Sequence, residues 1–425
     1  MSEGRSFDIL IVGGGLAGAA LGCALRGTGL RVGILEAVPI GARGQPSYDD
    51  RSIALAHGSQ RIFQALGLWS QLASHACPIR HIHISNRGFF GFTRLSAQDE
   101  GVEALGYVIE NRTIGAIVGA ALAAAENVDW IAPATVTDVA LDEQAATVCA
   151  RINGEQVCLS AKLVVAADGD RSIVRESLGV DVDRRPYDQA AVIANVTPEK
   201  HHDHVAYERF TATGPLALLP MTEGRCSLVW MVPPQEQEAM LARGDDEFLK
   251  RLQDVFGWRL GRFVKVGKRA AYPLALTRAR QAVLTRTVLI GNAAHALHPV
   301  AGQGFNLSLR DVAVLAELIY DAHCAGEDIG AQAVLQRYHA WRERDQGNAM
   351  LFTDVLARVF ANPLGLVAKA RNAGLIAADV MPPIKHRLTR FTMGLAGRQP
   401  RLGCGLPLVP SGAIDKTAQR VSAVS

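Results

Sequence analysis

A short apolar stretch, Phe7–Val12, runs directly into Gly13-Gly14-Gly15, and Gly18 follows three residues later. No other feature constrains the fold so tightly. An apolar run of this length reads as a buried strand, and Leu16–Arg26 then supplies small and apolar residues at helical spacing until Gly27 and Gly29 end the helix. Arg31–Leu35 forms a second strand, closed by Glu36, which lies 18 residues after Gly18. The unit is strand, helix, strand. Glycines at such a turn let the backbone bend sharply and approach a pyrophosphate, the helix start offers N–H groups, and an acid after the second strand can accept ribose hydroxyls. A dinucleotide site is the expectation, without a choice between FAD and NAD. A signal-peptide reading of Phe7–Val12 is set aside, because no small-residue cleavage site follows.

The rest of the chain extends an α/β pattern. Helices are expected at Ser59–Leu66 and Thr113–Glu126, and strands within Ile79–Leu95, Thr135–Leu141, Thr147–Ile152 and Leu163–Ala166. From Arg184 to Tyr272, runs such as Ala190–Val196, Leu216–Leu219 and Cys226–Val232 stand between Pro/Gly breaks, which reads as an inserted antiparallel sheet. After Val288–Gly291 the chain is mainly helical to about Leu395.

Bulk composition excludes several classes. With 44 Lys+Arg against 41 Asp+Glu, net charge is only +3, so nothing points to a nucleic-acid partner. The seven cysteines never form a Cys-x-x-Cys pair, which argues against a disulfide framework and fits a reducing cytosol. The longest run free of polar side chains, Ile114–Ala125, falls short of the roughly 18–20 residues needed to span a bilayer. No metal is expected. His81-x-His83 and His201-His202-x-His204 have no convergent Cys, Asp or Glu in the sequence, and loop histidines are commonly solvated.

Two further stretches carry chemistry. Leu163–Arg175 holds Asp168-Gly169 after a buried strand, with Ser172 placed to cap the next helix. Val288–Asn306 holds Gly291-Asn292, His295, His298, Pro299, Gly302 and Gly304 before a helix from Leu307, a loop suited to stabilising negative charge. His295 and His298 are expected to hydrogen-bond locally.

In this order the three stretches resemble the FAD-dependent aromatic hydroxylases related to p-hydroxybenzoate hydroxylase, over essentially the whole chain. Arg51-Ser-Ile-Ala-Leu-Ala, Gln189-Ala-Ala-Val-Ile-Ala-Asn-Val, Gly214-Pro-Leu-Ala-Leu-Leu-Pro and Phe256-Gly-Trp-Arg-Leu-Gly look like the ubiquinone-pathway branch, the 2-polyprenyl-6-methoxyphenol hydroxylases. The family's late motif usually reads Gly-Asp, and here it reads Gly291-Asn292. An amide keeps the hydrogen bonds and loses the charge.

The resemblance implies an α/β fold. FAD-binding segments span 1–75, 111–182 and 274–340, a substrate sheet 76–110 and 183–273, a helical region 341–410 and a tail 411–425. It implies that Gly13, Gly15, Gly18, Glu36, Arg51, Arg112, Val136, Asp168, Gly169, Gly291, Asn292, Gly302 and Phe305 bind FAD, and that Pro299, Gly304 and Asn306 face the reaction. NAD(P)H is the implied transient reductant, since the chain has a single dinucleotide fingerprint. The implied reaction is hydroxylation of a polyprenylated methoxyphenol by O2 to a 1,4-benzoquinol, through a flavin C4a-hydroperoxide, with no general base identified. Alternatives are a sister hydroxylase of other regiochemistry, or a noncatalytic FAD-fold prenyl-binding protein. A flavin disulfide reductase would need a redox cysteine pair, and a flavin halogenase a Trp-x-Trp-x-Ile-Pro signature.

Residues 355–401 hold eight basic residues (Arg358, Lys369, Arg371, Lys385, Arg387, Arg390, Arg398, Arg401) against Asp379 alone. With Phe360, Leu364, Leu366, Val367, Leu375, Ile376, Met381 and Phe391 they read either as a surface for an anionic membrane or a ubiquinone-pathway protein complex, or as packed helices with solvated charges. The expected location is the cytosol or the cytosolic face of the inner membrane.

Overall fold

The computed structural model describes residues 5–39, 51–361 and 365–409. The apolar opening run is strand Ser6–Val12, whose Ile9, Leu10 and Ile11 are completely inaccessible. Burial on both faces is what a central parallel strand requires. It pairs in parallel with Val32–Leu35 on one side and with Glu155–Ala166 on the other. Outer parallel neighbours are Val128–Ile131 and Thr287–Leu289, while Ala134–Leu141 and Ala146–Ile152 add an antiparallel extension. Helices Leu16–Ala24, Asn111–Ala123 and Gln303–Cys324 cover one face; Leu21, Ile34, Val118, Leu122, Leu309 and Leu315 share the core there. Thus the Ala-rich stripe after residue 111 is a core helix, as its apolar composition implies.

The second sheet has nine strands, built around Val182–Pro198, Ala270–Ala279, Cys226–Val232, Gly214–Pro220 and Val205–Thr211. It is mixed rather than purely antiparallel. Val205–Thr211 pairs in parallel with His81–Asn86, a contact made across more than a hundred residues that local periodicity cannot reveal. Within 76–110, Cys77–Ile79 and Gly106–Glu110 leave this sheet and form a three-stranded one with Ser52–Ala56. Trp230, Leu228, Phe248 and Leu252 fill the far side, where helices Gln237–Ala242 and Asp245–Phe256, absent from the sequence reading, cover the sheet. Helices Gln332–Ala361, Gly365–Val380 and Pro382–Thr392 and a short 3-10 turn Leu402–Cys404 follow. The sites named in Phe360, Leu364, Leu366 and Val367, and the tail from 411, lie outside the described residues or side chains.

One expectation is corrected outright. Cys149 and Cys158 face each other across the hairpin of Ala146–Ile152 and Glu155–Ala166 and form a disulfide, with Cα atoms 4.0 Å apart. The pairing depends on strand register, which spacing in the sequence did not expose.

Candidate active site

The four motif loops leave the carboxyl ends of neighbouring parallel strands: Gly13 after Val12, Glu36 after Leu35, Asp168 after Ala166, and Gly291 after Leu289. In an open α/β sheet this is where a ligand crevice forms. The glycines differ in what they do. Gly13 has φ +100°, and a Cβ there would lie 2.5 Å from the Ala167 carbonyl oxygen. A Cβ on Gly18 would lie 2.0 Å from the Gly13 oxygen, so helix and strand approach as only glycine permits. By contrast, a Cβ on Gly15 would meet nothing within 4 Å, leaving open backbone facing the crevice. Glu36 accepts hydrogen bonds from the amides of Gly14 (2.7 Å) and Val38 (2.9 Å), so its carboxylate braces the turn while retaining lone pairs for a ribose.

Asp168 accepts from the Val174 amide at 3.2 Å, and its Oδ1 is buried without a partner; burial raises its pKa. Ser172 caps the following helix, as its position implied, by accepting from the Arg175 amide. Arg175 donates to the carbonyls of Ala293 and Asp170, tying this turn to the late loop.

The late loop is held from three sides. His298 accepts the Val300 amide hydrogen through Nδ1, so Nε2 carries the proton and donates to Gln189 Oε1 at 3.1 Å. Burial pushes its pKa down to about 4, keeping it neutral. His295 lies 2.6 Å from Asp311, which also receives Arg342 and Gln346. Although burial alone would raise Asp311, the Arg342 charge and the hydrogen bonds of His295 and Gln346 hold it far below the usual carboxylate range. Both histidines therefore bond locally, as expected.

Asn306 was expected to face the reaction, but its side chain does something else. Its oxygen accepts from the Ala56 amide (2.8 Å) and Ser59 Oγ (2.7 Å), and its nitrogen donates to Ala54 and Gly302 carbonyls. The saturated amide staples Ser52–Ala56 to the start of the long helix. That helix begins after Gly302 in the left-handed region (φ +59°) with no side-chain cap, and Gly304, Phe305 and Asn306 in its first turn line the cavity.

One cavity of about 1280 Å³ joins these parts. It exceeds the ~300–1,000 Å³ of an ordinary ligand pocket, room for a dinucleotide and a second molecule. Gly13, Gly15, Glu36, Arg51, Val136, Asp168, Gly169, Gly291, Asn292, Pro299, Gly302, Gly304, Phe305 and Asn306 all line it. Gly18 does not, consistent with its packing role. Arg112 does not either: it pairs with Glu110 at 2.6 Å. The opposite wall is the second sheet, where Ile82, Ile84, Ala191, Ala206, Glu208, Phe210, Ala217 and Val229 face the cavity, and beyond it Phe352, Leu356, Leu375 and Leu388 of the last helices. Glu208 escaped sequence reasoning. The available signal was its place between Ala206 and Phe210 in an alternating strand, an acid at an inward position.

The open face at Gly15, the orphaned Asp168 oxygen and the uncapped helix start fit FAD, a pyrophosphate-bearing group whose ring end needs N–H donors. The Cys149–Cys158 disulfide is not part of the cavity lining. Elsewhere the fold does converge Cys77 with His202 and His204, their ligand atoms within 4.8 Å of one another, and His202 is buried. The ground given above for setting aside a metal therefore fails. A different one replaces it: His202 spends both ring nitrogens, Nε2 on the Met221 carbonyl and Nδ1 on the His204 amide, and has no lone pair left for an ion.

Residues 6–352 match the family described as FAD binding domain. Ubiquinone hydroxylase UbiL of Rhodospirillum rubrum is 39% identical over 96% of this chain and 95% of its own. The 3-demethoxyubiquinol 3-hydroxylase of Escherichia coli is 32% identical over 91% and 98% respectively. In fold, p-nitrophenol 4-monooxygenase PnpA of Pseudomonas putida superposes with a TM-score of 0.78 at 18% identity, covering 93% of this chain and all of that one. The glycine turn, the Asp-Gly turn and the late loop around one cavity, with these relatives, make the chain a member of the FAD-binding-domain family of aromatic monooxygenases, with FAD as its cofactor.

Proposed function

We propose that the chain hydroxylates the ring of a polyprenylated methoxyphenol to a 1,4-benzoquinol in ubiquinone biosynthesis, using O2 and electrons from NAD(P)H. One observation carries the reading: the cavity runs unbroken from the dinucleotide loops across an apolar sheet to the last helices, so flavin, phenol ring and tail share a space. The hydroxylase relatives support the same chemistry.

In this reading the Gly13–Gly18 turn and Glu36 hold the ADP half, Arg51, Val136, Asp168 and Gly169 border its middle, and Gly291, Asn292, Gly302 and Phe305 hold the ribityl and ring end. Asn292 lines the cavity, where its amide can meet a ribityl hydroxyl. Bound FAD, once reduced, supplies the means of activating O2. The chain's part is to bind, orient and exclude water. The amides of Gly304–Asn306 stabilise negative charge at the ring end, Pro299 shapes the ring's face, and Ile84, Phe210 and Val229 keep the substrate wall dry.

The Escherichia coli relative, named as a 3-hydroxylase, favours a second reading of the same class, a sister hydroxylase acting at another ring position. The experiment is oxygen consumption by the yellow holoenzyme with a short-tailed 2-methoxyphenol, followed by identification of the product. A 1,4-quinol supports the first reading, another hydroxylated ring the second, and NAD(P)H oxidation indifferent to any phenol would overturn both.

The proposed lipid contact narrows to a smaller patch. Arg358, Lys385, Arg398 and Arg401 are engaged with Asp354, Asp99, the Trp341 ring and Asp321, and Arg371 donates to the Val359 carbonyl. Lys369, Arg387 and Arg390 remain exposed, beside exposed Ile376, Val380, Met381 and Ile384. No helix among the described residues is long and apolar enough to cross a membrane.

A further inference from the structure

Among the described residues, four acids line the cavity: Glu36, Asp168 and Asp170 at the dinucleotide end, and Glu208 on the sheet. No histidine, lysine or cysteine among the described residues joins them. Glu208 lies on Val205–Thr211, opposite Ala217 on one side and Ile84 on the other. On the same face, about 7 Å along the strand in each direction, are Ala206 and Phe210. Ala206 packs near Ala54, whose Cβ would be 3.3 Å from a side chain at Gly302; Phe210 packs on Val300, next to Pro299. Glu208 is thus centred between Phe210, which packs on the late loop, and Ala206, which packs on the Ala54 strand beside it. Ala206 and Ala217 are small, and leave space above the sheet beside it.

A carboxylate in such a place normally has a partner. Glu208 has no hydrogen bond or ion pair with any described residue, and burial alone raises its pKa to about 7. On the helix Gln332–Ala361, which packs against this strand, Arg358 pairs with Asp354. Arg371 lines the cavity but donates to the Val359 carbonyl, and neutral His83 and half-buried Arg209 alternate to the other face of their strands.

Resting on the reading above, we propose that Glu208, the sole acid among the described residues on the sheet wall facing the late loop, accepts the proton of the substrate's phenolic hydroxyl. The step is a proton transfer. The O–H bond breaks, its electron pair stays on oxygen and delocalises into the ring, raising electron density para to it, and a new O–H bond forms on the Glu208 carboxyl. The transferred oxygen comes from O2 with electrons from NAD(P)H. When the attacked carbon loses its hydrogen as a proton and the ring regains aromaticity, Glu208 returns its own proton to the phenolic oxygen and is again a carboxylate.

The test compares binding of 6-pentyl-2-methoxyphenol with binding of its O-methyl ether, read from perturbation of the holoenzyme's flavin absorption between pH 5.5 and 8.5. A carboxylate hydrogen bond to the hydroxyl favours the phenol about 10- to 100-fold at the alkaline end, and the preference falls as pH drops through about 7 and Glu208 takes a proton. E208Q is expected to flatten the pH dependence with FAD content unchanged, and to slow hydroxylation by about 100-fold or more; E208D restores the pH dependence in part. Equal preference in wild type and E208Q at every pH would overturn the assignment. An intact, pH-dependent preference in a chain that hydroxylates no phenol would overturn the proposed reaction and leave the Glu208 contact standing.

Discussion

The two ends of the cavity are built on opposite principles. At the dinucleotide end the working surface is backbone, and side chains are mostly absent or spent on holding that backbone in place. Gly13 and Gly18 permit close approach, Glu36 braces the turn, and Asn306 staples the helix start. At the sheet end the surface is side chain: Ile84, Ala206, Glu208, Phe210 and Ala217, from strands distant in sequence. Backbone sites demand particular residues at fixed spacing, whereas a side-chain wall tolerates many sequences. The first end therefore suits a cofactor common to many enzymes, and the second a particular substrate.

The largest expected break in this contrast comes from Gly18→Ala. Its Cβ would overlap the Gly13 carbonyl, costing at least the ~1–3 kcal/mol of ordinary overpacking, and thermal unfolding should show a destabilised chain. Gly15→Val, whose side chain enters open space, should keep its fold and lose FAD, read as loss of yellow colour. Next, Asn306→Ala removes four hydrogen bonds at a buried position and should cost about 3 kcal/mol in denaturant unfolding. At the other end, Ala217→Trp should leave flavin stoichiometry intact and suppress phenol-dependent oxygen uptake by about tenfold or more.

A subtler difference appears with pH. Glu208 is raised above its ordinary value, so the folded chain holds this proton more tightly, and stability is lost as pH rises from about 4.5 through about 7. E208Q escapes that loss. Its melting temperature should exceed wild type by about 2 °C or more at pH 8, and the gap should close near pH 4. The smallest effect belongs to the surface. Replacing Lys369, Arg387 and Arg390 by Gln should weaken sedimentation with anionic liposomes by about 1 kcal/mol per charge and leave flavin content unchanged.

The same contrast explains what could be read from the sequence. The first strand, the glycine turn, Glu36, the Asp168 turn and the late loop were legible because each is local and tightly constrained. The core helix after residue 111 announced itself by composition. The parallel pairing of Val205–Thr211 with His81–Asn86, the small sheet holding Ser52–Ala56, and the Cys149–Cys158 pair depend on register between distant segments, which no local pattern encodes. Arg112 and Asn306 show what a resemblance leaves unspecified. Arg112 pairs with Glu110 and is absent from the cavity lining, and Asn306 lines the cavity while its side-chain amide is consumed within the fold. Glu208 shows the converse: nothing in a motif marks it, and only the closure of the sheet against the late loop gives it a place.

The most direct test of one cavity shared by cofactor and phenol is a spectral titration of purified wild type and Ala217→Trp with 6-pentyl-2-methoxyphenol. The expected result is one FAD per chain in both proteins, with the flavin band shifted by the phenol in wild type and unshifted in the variant. A phenol that binds wild type without disturbing the flavin, or a variant that loses its FAD, would contradict it.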